Sequence, residues 1–449
     1  MRAVSRRGLL LLAAALATAL PLTAGCGEGE DEGAVTPGAT PEATTVRTPA
    51  GEVPGVSDTE IKIGTLLPLS QTAAAAWGVP ISRGMQAYYD YINDQGGIYG
   101  RKIKLVVADN QYSGPVAGEA VRKLVEQEKV FAVQGSLGTA AHSSVWRYLE
   151  ENGVPDMFIL TGNTKWTDPA ARNRFGLLVD YITEGRLLGK YVAENFKGKK
   201  LGILAQNDDF GKEGEKGLKM GVEENNGDME FVVEYYDETQ NDVTNQIQRL
   251  KAENVDVIAF YTMPVQAASG FKVARETLSW DVPVVISGVD AVEVVATLAG
   301  YDNIEGAVSV VFGHQAFETD NPGIAKHHEI MAKYAPGVPV DNLTLLGEFI
   351  GEYMVHILRQ TGPELTRESF LDAAESMCDF QCSACMVPSS MSPTDHRPIE
   401  VEVYLRATVD RSTDPPTFRW QPFGEPFGFE STKDCATPTP PPGYEEQPE

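Results

Sequence analysis

Strand-like apolar runs recur in the same order in two successive halves of the chain, with helical patterns between them. Corresponding runs are displaced by roughly 125 to 140 residues, which indicates an internal repeat. Strands that alternate with helices are typical of βαβ units and a parallel sheet. Each half is therefore predicted to form a Rossmann-like α/β lobe. The runs are 61–67, 103–108, 130–134 and 156–160 in the first half, and 200–205, 229–235, 255–261 and 282–286 in the second.

Two further segments follow the repeated halves. Residues 343–359 have the pattern of a long amphipathic helix, and residues 398–409 have that of a strand. Because they are too short to start a third domain, they are predicted to return and complete the lobes. The clearest helical patterns within the halves are 83–93, 116–127, 212–224 and 243–252.

The chain is strongly acidic. It has 63 acidic and 37 basic residues and a formal net charge of -26. Binding to a nucleic-acid backbone needs clustered lysine and arginine side chains. A nucleic-acid partner is therefore not expected.

The N-terminus has the pattern of a secretory signal peptide, predicted to span residues 1–25. Arginines precede an apolar run at 8–20, and small residues follow that run up to Cys26. Small residues before a cysteine resemble the bacterial lipobox, so Cys26 is predicted to be the first mature residue and a lipid anchor. The alternative is a plain signal peptide followed by an unrelated cysteine. Either leader predicts an extracytoplasmic protein, and the lipobox predicts one anchored to a bacterial membrane.

Low-complexity segments are predicted at both ends of the mature chain. Residues 26–57 are rich in Gly, Glu, Thr and Pro and have almost no aromatic side chains, so they cannot bury a core. They are predicted to form a disordered tether. The proline-rich segment 436–449 is likewise predicted to be a disordered tail.

A glycine-rich turn ends the third strand-like run, within residues 130–142. Gly135 and Gly138 end the apolar run, and Thr139 stands where the N-cap of a helix is expected. A strand that leads into a helix N-terminus directs backbone N–H groups at its ligand, which favours a carboxylate or phosphate. From the sequence alone, the alternative is that Thr139 merely caps the helix.

The ends of the predicted strands indicate where a ligand would bind. In open parallel sheets, ligands bind outside the carboxyl ends of the strands. If the two lobes face each other, the segments after six strands can line one cleft between them. These segments are 67–77, 137–139, 161–166, 208–211, 261–263 and 287–290.

Four cysteines follow Cys26, namely Cys378, Cys382, Cys385 and Cys435. In an exported protein this even number favours two disulfides, with three possible connectivities. A zinc site is the alternative, because Cys382 and Cys385 have the spacing of metal ligands.

Catalytic signatures are missing. The segment 327–329 does not have the His-Glu-x-x-His pattern of metalloproteases and is predicted to lie on a solvated helix face. Nucleophile-elbow and phosphate-loop lysine motifs are also absent from the sequence. The protein is therefore not expected to be an enzyme, and neither a cofactor nor a resident metal is expected.

Four motifs carry a resemblance to a known family. They are IKIGTLLPLS at 61–70, GGIYGRKI at 96–103, ENGVP at 151–155, and FGKEG at 210–214 with Asn207 and Asp208 before it. With these motifs the chain resembles the type I periplasmic solute-binding proteins, specifically the branched-chain amino acid receptors of ABC importers. The resemblance extends from about residue 58 to about residue 409 and is most specific at GGIYGRKI.

The resemblance implies two α/β lobes joined by three crossovers that act as a hinge. The crossovers are expected near Asp180, Phe312 and Ser390. Lobe 1 is then predicted to comprise 58–181 plus 313–389. Lobe 2 is predicted to comprise 182–312 plus 390–435.

The resemblance also assigns binding roles to individual residues. Thr139 matches the hydroxyl residue that holds the ligand carboxylate, and Asp290 matches the acid that pairs with the ammonium group. A zwitterion needs such donors at one end and an acceptor at the other. From the sequence alone Asp290 can equally cap a helix at 291–299, and the aromatic residues can equally belong to the core. The other expected ligand contacts are Trp77, Leu137, Gly138, Gly162, Asn163, Thr164, Phe210 and Tyr261.

The function expected from this resemblance is solute capture for import. The protein would bind a small amino acid, or a related amide or carboxylate, in the cleft and deliver it as a monomer to an ABC permease. The alternative is a ligand sensor that signals to a membrane partner without transport.

Overall fold

The structure is a computed structural model in which residues 53–72 and 74–428 are described. Within this part of the chain the strands form two sheets, one in each lobe. The sheet of lobe 1 consists of β1 (Glu60–Leu67), β2 (Lys102–Asp109), β3 (Ala132–Gln134), β4 (Asp156–Ile159) and β5 (Arg174–Gly176). All of these strands are parallel, and their spatial order is β2-β1-β3-β4-β5.

The sheet of lobe 2 is larger and mixed. It consists of β6 (Lys200–Gln206), β7 (Glu230–Tyr236), β8 (Val257–Tyr261), β9 (Val284–Ile286), β10 (Val308–Val311), β11 (Val401–Asp410) and β12 (Thr417–Gly428). The spatial order is β12-β11-β10-β9-β8-β6-β7. Strands β6 to β10 are parallel, whereas β11 and β12 pair in the antiparallel direction. The predicted α/β fold with two Rossmann-like lobes is confirmed.

Helices cover both sheets. They are α1 (Ala75–Asp94), α2 (Gly114–Arg122), α3 (Thr139–Ser143), α4 (Trp146–Glu151), α5 (Tyr181–Phe196), α6 (Asp209–Glu224), α7 (Thr244–Ala252), α8 (Pro264–Lys272), α9 (Glu293–Ala299), α10 (Tyr301–Ile304), α11 (Pro322–Tyr334), α12 (Asn342–Thr361) and α13 (Arg367–Glu375). Side-chain caps fix several of their starts. Asp208 accepts the Phe210 and Gly211 N–H groups before α6, and Asp341 forms a capping box at α12.

Every strand predicted from the repeat lies on an observed strand, and residues 398–409 contain most of β11. Strands β5, β10 and β12 were not predicted. The sequence of β12 contains Pro422, Gly424 and Pro426, which argue against a central strand. Because β12 pairs with β11 at the edge of the sheet, the missing N–H groups of the prolines interrupt no second ladder.

The chain passes between the lobes three times, at 177–180, 312–321 and 376–400. Helices α11 and α12 pack on α1, so the chain between the second and third crossovers returns to lobe 1. The expected crossover positions at Asp180, Phe312 and Ser390 lie within the first, second and third of these segments.

The end of the predicted tether belongs to the folded lobe. Residues 53–57 pack beside β1, where the Gly55 carbonyl accepts the Lys62 N–H at 2.8 Å and Val56 pairs with Ile61. This segment is therefore ordered because it satisfies backbone groups at the start of the sheet. The predicted signal peptide, Cys26, Cys435 and the tail lie outside the described residues. Within 53–72 and 74–428, no helix is both long enough and apolar enough to cross a membrane.

His327 is buried, contrary to the prediction of a solvated helix face. Its Nδ1 atom lies 2.7 Å from the Glu348 carboxylate, and its Nε2 atom lies 3.3 Å from the Thr344 hydroxyl. The prediction failed because α11 packs on α12, so the face that carries His327 points into lobe 1.

A disulfide joins Cys382 to Cys385 in the third crossover, and Cys378 is also disulfide-bonded. Since the thiols of the C-x-x-C pair are bonded to each other, they do not form the zinc site that their spacing left open. The disulfide loop lies against the second crossover, where the His314 N–H donates to the Ala384 carbonyl at 2.8 Å. No cluster of potential metal ligands occurs in the described parts of the chain.

Helices α5 and α6 approach so closely that their backbones touch at glycines. A Cβ atom at Gly217 would lie 2.3 Å from the Ile182 carbonyl, and one at Gly221 would lie 2.2 Å from the Arg186 carbonyl. This contact fixes α6, whose N-terminus faces the cleft, against the first helix of lobe 2. A methyl group at either position would have to separate the two helices.

We expect Gly217→Ala to destabilise the protein by about 1–3 kcal/mol, the range observed for overpacking. Gly118 is the matched control because it lies inside helix α2, where the nearest atom to an added Cβ is 3.9 Å away. There Gly118→Ala should stabilise the protein by about 0.5–1 kcal/mol. Urea denaturation midpoints test the opposite signs, and equal effects of the two substitutions would contradict the proposed backbone contact.

Candidate ligand-binding site

A cavity lies where the two lobes and the three crossovers meet. The space open to the centre of a water molecule is about 90 Å³. Lobe 1 contributes residues of α1 and α12, and lobe 2 contributes the segment that follows β9. A ligand in this cavity would therefore contact both lobes at once. The apolar lining residues are Trp77, Leu178, Val179, Val289, Ala291, Val292, Val310, Val311, Phe312, Leu343, Leu345, Leu346, Phe349 and Ala384.

Polar side chains at one side of the cavity bond to one another. The Asn342 side-chain amide donates to the Gln315 side-chain carbonyl at 2.8 Å, and the Gln315 amide donates to the Gly313 carbonyl at 3.1 Å. The His314 Nδ1 atom lies 2.6 Å from the Glu318 carboxylate. These groups are satisfied within the protein.

Two glutamates of lobe 2, Glu184 on α5 and Glu402 on β11, also line the cavity. Glu184 is 5% exposed and Glu402 is 2% exposed. One Glu184 oxygen accepts the Gly288 N–H at 3.2 Å, whereas Oε1 of Glu184 and Oε2 of Glu402 have no hydrogen-bond partner. Burial raises the pKa of Glu184 to about 7. Burial and the neighbouring Glu184 charge raise the pKa of Glu402 well above its usual range.

Trp77 is the predicted contact that lines this cavity. It lies in the first turn of α1 and is 6% exposed. Its indole Nε1–H is buried and has no hydrogen-bond partner. The wall of the cavity therefore carries an unpaired donor on lobe 1 and unpaired acceptors on lobe 2.

The predicted carboxylate seat at Thr139 does not line the cavity. Gly138, with φ of 106°, is the N-cap residue of α3, and Thr139 is the first helical residue, so the prediction of Thr139 as N-cap is wrong. The difference arises because the turn needs a positive φ, which glycine adopts without strain. The Thr139 and Thr161 hydroxyls are 2.6 Å apart and hydrogen-bonded. The Leu137 carbonyl accepts the Asn110 side-chain amide at 2.9 Å.

The predicted loop at 162–164 makes contacts across the mouth of the cleft. Both the N–H and the hydroxyl of Thr164 donate to the Glu213 carboxylate on α6, at 3.1 and 2.6 Å. The neighbouring Lys165 ammonium pairs with Asp209 at 2.8 Å. The Gly162 carbonyl accepts the Tyr181 N–H, and the Asn163 side chain accepts the Lys165 N–H. This loop therefore joins the lobes in the structure.

Phe210 and Tyr261 belong to a buried aromatic cluster. The Phe210 ring centroid lies 4.6 Å from that of Tyr181 and 5.8 Å from that of Tyr261. The Tyr261 hydroxyl has no hydrogen-bond partner, and burial together with the Glu184 charge raises its pKa. The structure brings these two predicted contacts together, but they are not among the residues that line the cavity.

Asp290 lies behind the cavity wall that its sequence neighbours form. Ala291 and Val292 line the cavity, whereas one Asp290 oxygen accepts the Thr262 hydroxyl at 2.6 Å and the other has no partner. Asp290 does not cap a helix, because α9 begins at Glu293 with Val292 as its N-cap residue. Burial raises the pKa of Asp290 well above its usual range.

Glu184 and Glu402 were missed by the sequence analysis. Glu402 lies between Val401 and Val403 in a strand, and an acid flanked by valines was a signal that could have been used. Glu184 gave no comparable signal, because an acid in the first turn of a helix is common for its interaction with the helix dipole.

The sequence pattern of the family described as periplasmic binding protein matches residues 60–410. The Leu/Ile/Val-binding protein BraC3 of Rhizobium johnstonii is 30% identical over 207 residues, which cover 45% of this chain and 54% of that protein. An amino acid binding protein of Pseudomonas aeruginosa is 25% identical over 213 residues, again covering 45% and 54%. The chain thus spans about half the length of these curated relatives.

Solved structures share the fold over most of the chain. A branched chain amino acid ABC transporter structure from Thermus thermophilus with bound valine has a TM-score of 0.73 and 19% identity, covering 83% of this chain and 97% of that one. A fatty acid ABC transporter substrate-binding protein from Thermomonospora curvata has a TM-score of 0.70 and 24% identity, covering 83% and 95%.

The buried acids predict how stability depends on pH. Burial raises the pKa of Glu293, as it does that of Glu184, to about 7. An acid whose pKa is higher in the folded than in the unfolded state stabilises the fold most below the unfolded pKa, and this stabilisation is lost as pH rises through the folded pKa.

We therefore expect the melting temperature of the ligand-free protein to fall between about pH 5 and pH 7.5, the window between the ordinary carboxyl pKa and the folded-state pKa of about 7. Below pH 7, each such acid lowers the free energy of unfolding by up to about 1.4 kcal/mol for every unit by which the pH rises. Glu293→Gln should remove part of the decrease, and the same substitution at the exposed Glu223 should not. A flat profile for the parent protein would contradict the buried, protonated acids.

Proposed function

This chain belongs to the periplasmic binding protein family, and on that premise we propose that it captures a small amino acid, or a related amide or carboxylate, for an ABC importer. The family consists of substrate-binding proteins rather than enzymes, as the sequence analysis predicted. Its resemblance to the Leu/Ile/Val-binding proteins is confirmed. The identity of the solute and the delivery to a permease are parts of the proposal.

The cavity shared by both lobes is the observation that supports solute capture best. A ligand shifts a conformational equilibrium only by its differential affinity for the two states. A solute that contacts Trp77 on lobe 1 and Val292 on lobe 2 makes its full set of contacts only when the lobes are closed. Binding would therefore stabilise the closed form, which a permease can distinguish from the open one.

The residues that line the cavity favour a solute with an apolar part. Leucine, valine and phenylalanine side chains form most of the lining, and apolar surface in such a cavity favours burial of an aliphatic group. The names of the similar proteins, Leu/Ile/Val-binding and fatty acid, also describe aliphatic ligands. We favour an aliphatic amino acid because the unpaired groups include both a donor and acceptors.

The family resemblance assigns the ligand carboxylate to Thr139 and the ammonium group to Asp290, but neither side chain lines the cavity. In the structure Thr139 is hydrogen-bonded to Thr161, and Asp290 is hydrogen-bonded to Thr262. A ligand that binds there would have to replace both hydrogen bonds.

We further propose that the protein acts outside the cytoplasm as a monomeric lipoprotein. The sequence before residue 53 supports this, since small residues precede Cys26 in a lipobox-like pattern. A lipidated Cys26 would keep the folded lobes near a membrane-embedded permease.

A thermal-shift screen of the full chain against amino acids, amides and short carboxylates tests the proposal. A ligand that binds the native state stabilises it by RT ln(1 + [L]/Kd), so the best solute should raise the melting temperature further as its concentration increases above Kd. Trp77→Ala should weaken binding of that solute by about tenfold or more, because it removes the aromatic wall.

Trp280→Ala is the matched control, since Trp280 is partly buried but does not line the cavity. This control should leave the affinity unchanged. The proposal is contradicted if no solute of these classes shifts the melting temperature, or if both tryptophan variants bind the best solute as the parent does.

A further inference from the structure

We infer that Glu184 and Glu402 together bind the ammonium group of an aliphatic ligand in the cavity between the lobes. This inference rests on the proposed function and names the group that selects its substrate. It replaces Asp290, the residue that the sequence assigns to the ammonium group, with two side chains that line the cavity.

One carboxylate oxygen of each glutamate lacks a hydrogen-bond donor. Oε1 of Glu184 and Oε2 of Glu402 accept no hydrogen bond, and both residues are at least nine-tenths buried. The Ser287 and Tyr261 hydroxyls lie beside the Glu184 carboxylate, whereas Glu402 has no such neighbour among the groups that affect its pKa. A buried acceptor without a donor loses its hydration and gains nothing in return, so such groups are rare in native proteins. An ammonium group has three N–H donors and can serve both oxygens at once.

The charged groups around the two glutamates indicate which charge the ligand should carry. Asp180 and Asp290 lie near Glu184, and the Tyr261 hydroxyl is beside it, so the side chains around Glu184 are acids and a hydroxyl rather than cations. Arg397 pairs with Asp180 at 4.0 Å and is not among the residues that line the cavity. His314 is the basic side chain among the lining residues, and it is bonded to Glu318. The cavity therefore favours a cationic head over an anionic one.

The other polar side chains considered for this role either already have hydrogen-bond partners or do not line the cavity. Gln315 and Asn342 are bonded to each other and to neighbouring groups. Asp290 is not among the lining residues, and one of its oxygens already accepts the Thr262 hydroxyl. On lobe 1 the unpaired Trp77 indole N–H can donate to an acceptor on the ligand.

The arrangement selects a primary amine with an aliphatic chain, and an α-amino acid when an acceptor is also present. In the empty site the carboxyl groups hold a proton, since burial and mutual repulsion disfavour two charges. Entry of an ammonium group lets them ionise. Binding near neutral pH should therefore release a proton to the buffer.

Three probes of one carbon skeleton test the assignment by isothermal titration calorimetry on the full chain. L-leucine has both charged groups, 3-methylbutylamine lacks the carboxylate, and 4-methylpentanoate lacks the ammonium group. We expect the parent protein to bind leucine and the amine and to bind 4-methylpentanoate at least tenfold more weakly. Titrations of leucine in two buffers of different ionisation enthalpy should show proton release.

The double variant Glu184→Gln, Glu402→Gln should bind leucine and the amine about 10- to 100-fold more weakly and should release no proton. It keeps the shape of both side chains and removes buried charge, so we expect it to fold. Glu348→Gln is the matched control, because Glu348 is a buried acid of lobe 1 that does not line the cavity. It should bind leucine as the parent does.

Two results would overturn the assignment while leaving the proposed function intact. One is a double variant that keeps the parent affinity for leucine. The other is a parent protein that binds 4-methylpentanoate as tightly as 3-methylbutylamine, a comparison that needs no variant to fold. Failure of the parent to bind any of the three probes would instead count against an aliphatic amino acid as the solute.

Discussion

The balance between open and closed lobes depends on polar contacts at the mouth of the cleft that are too weak to decide it alone. The Lys165 and Asp209 side chains are 33% and 54% exposed, and ion pairs of this kind contribute about 0–1 kcal/mol. The Thr164–Glu213 contact also lies near the surface. Buried acceptors without partners oppose closure by more, about 1–3 kcal/mol each. A ligand that satisfies them therefore has more influence on closure than the mouth contacts.

The cavity wall contains buried polar atoms that have no hydrogen-bond partner within the protein. In a stable core, buried polar atoms find partners, as Gln315 and Asn342 do. Trp77 on one lobe and the glutamates on the other do not, and the missing partners are a donor for the acids and an acceptor for the indole. The cavity lining between Trp77 and the glutamates is apolar, which favours a ligand whose polar ends are connected by an aliphatic chain. The pattern of unpaired atoms thus describes a ligand that is polar at its ends.

The sequence predicted the architecture well because the periodicities of strands and helices are local signals. The strand β12 was missed because its prolines are compatible with an edge strand only after the neighbouring β11 is known. The site was harder to predict. Trp77 was found through the family resemblance, whereas Glu184 and Glu402 lie more than two hundred residues apart and meet only because the crossovers return the chain. Thr139 and Asp290 have the expected residue types, but neighbouring threonines occupy their side chains.

A crystal structure of the protein grown with saturating L-leucine would test whether the two glutamates bind the ammonium group. We expect leucine density in the cavity between Trp77 and Val292, with the ammonium nitrogen within hydrogen-bond distance of Glu184 and Glu402. Leucine bound through one lobe only, or bound at Asp290 with both glutamates left unpaired, would contradict it.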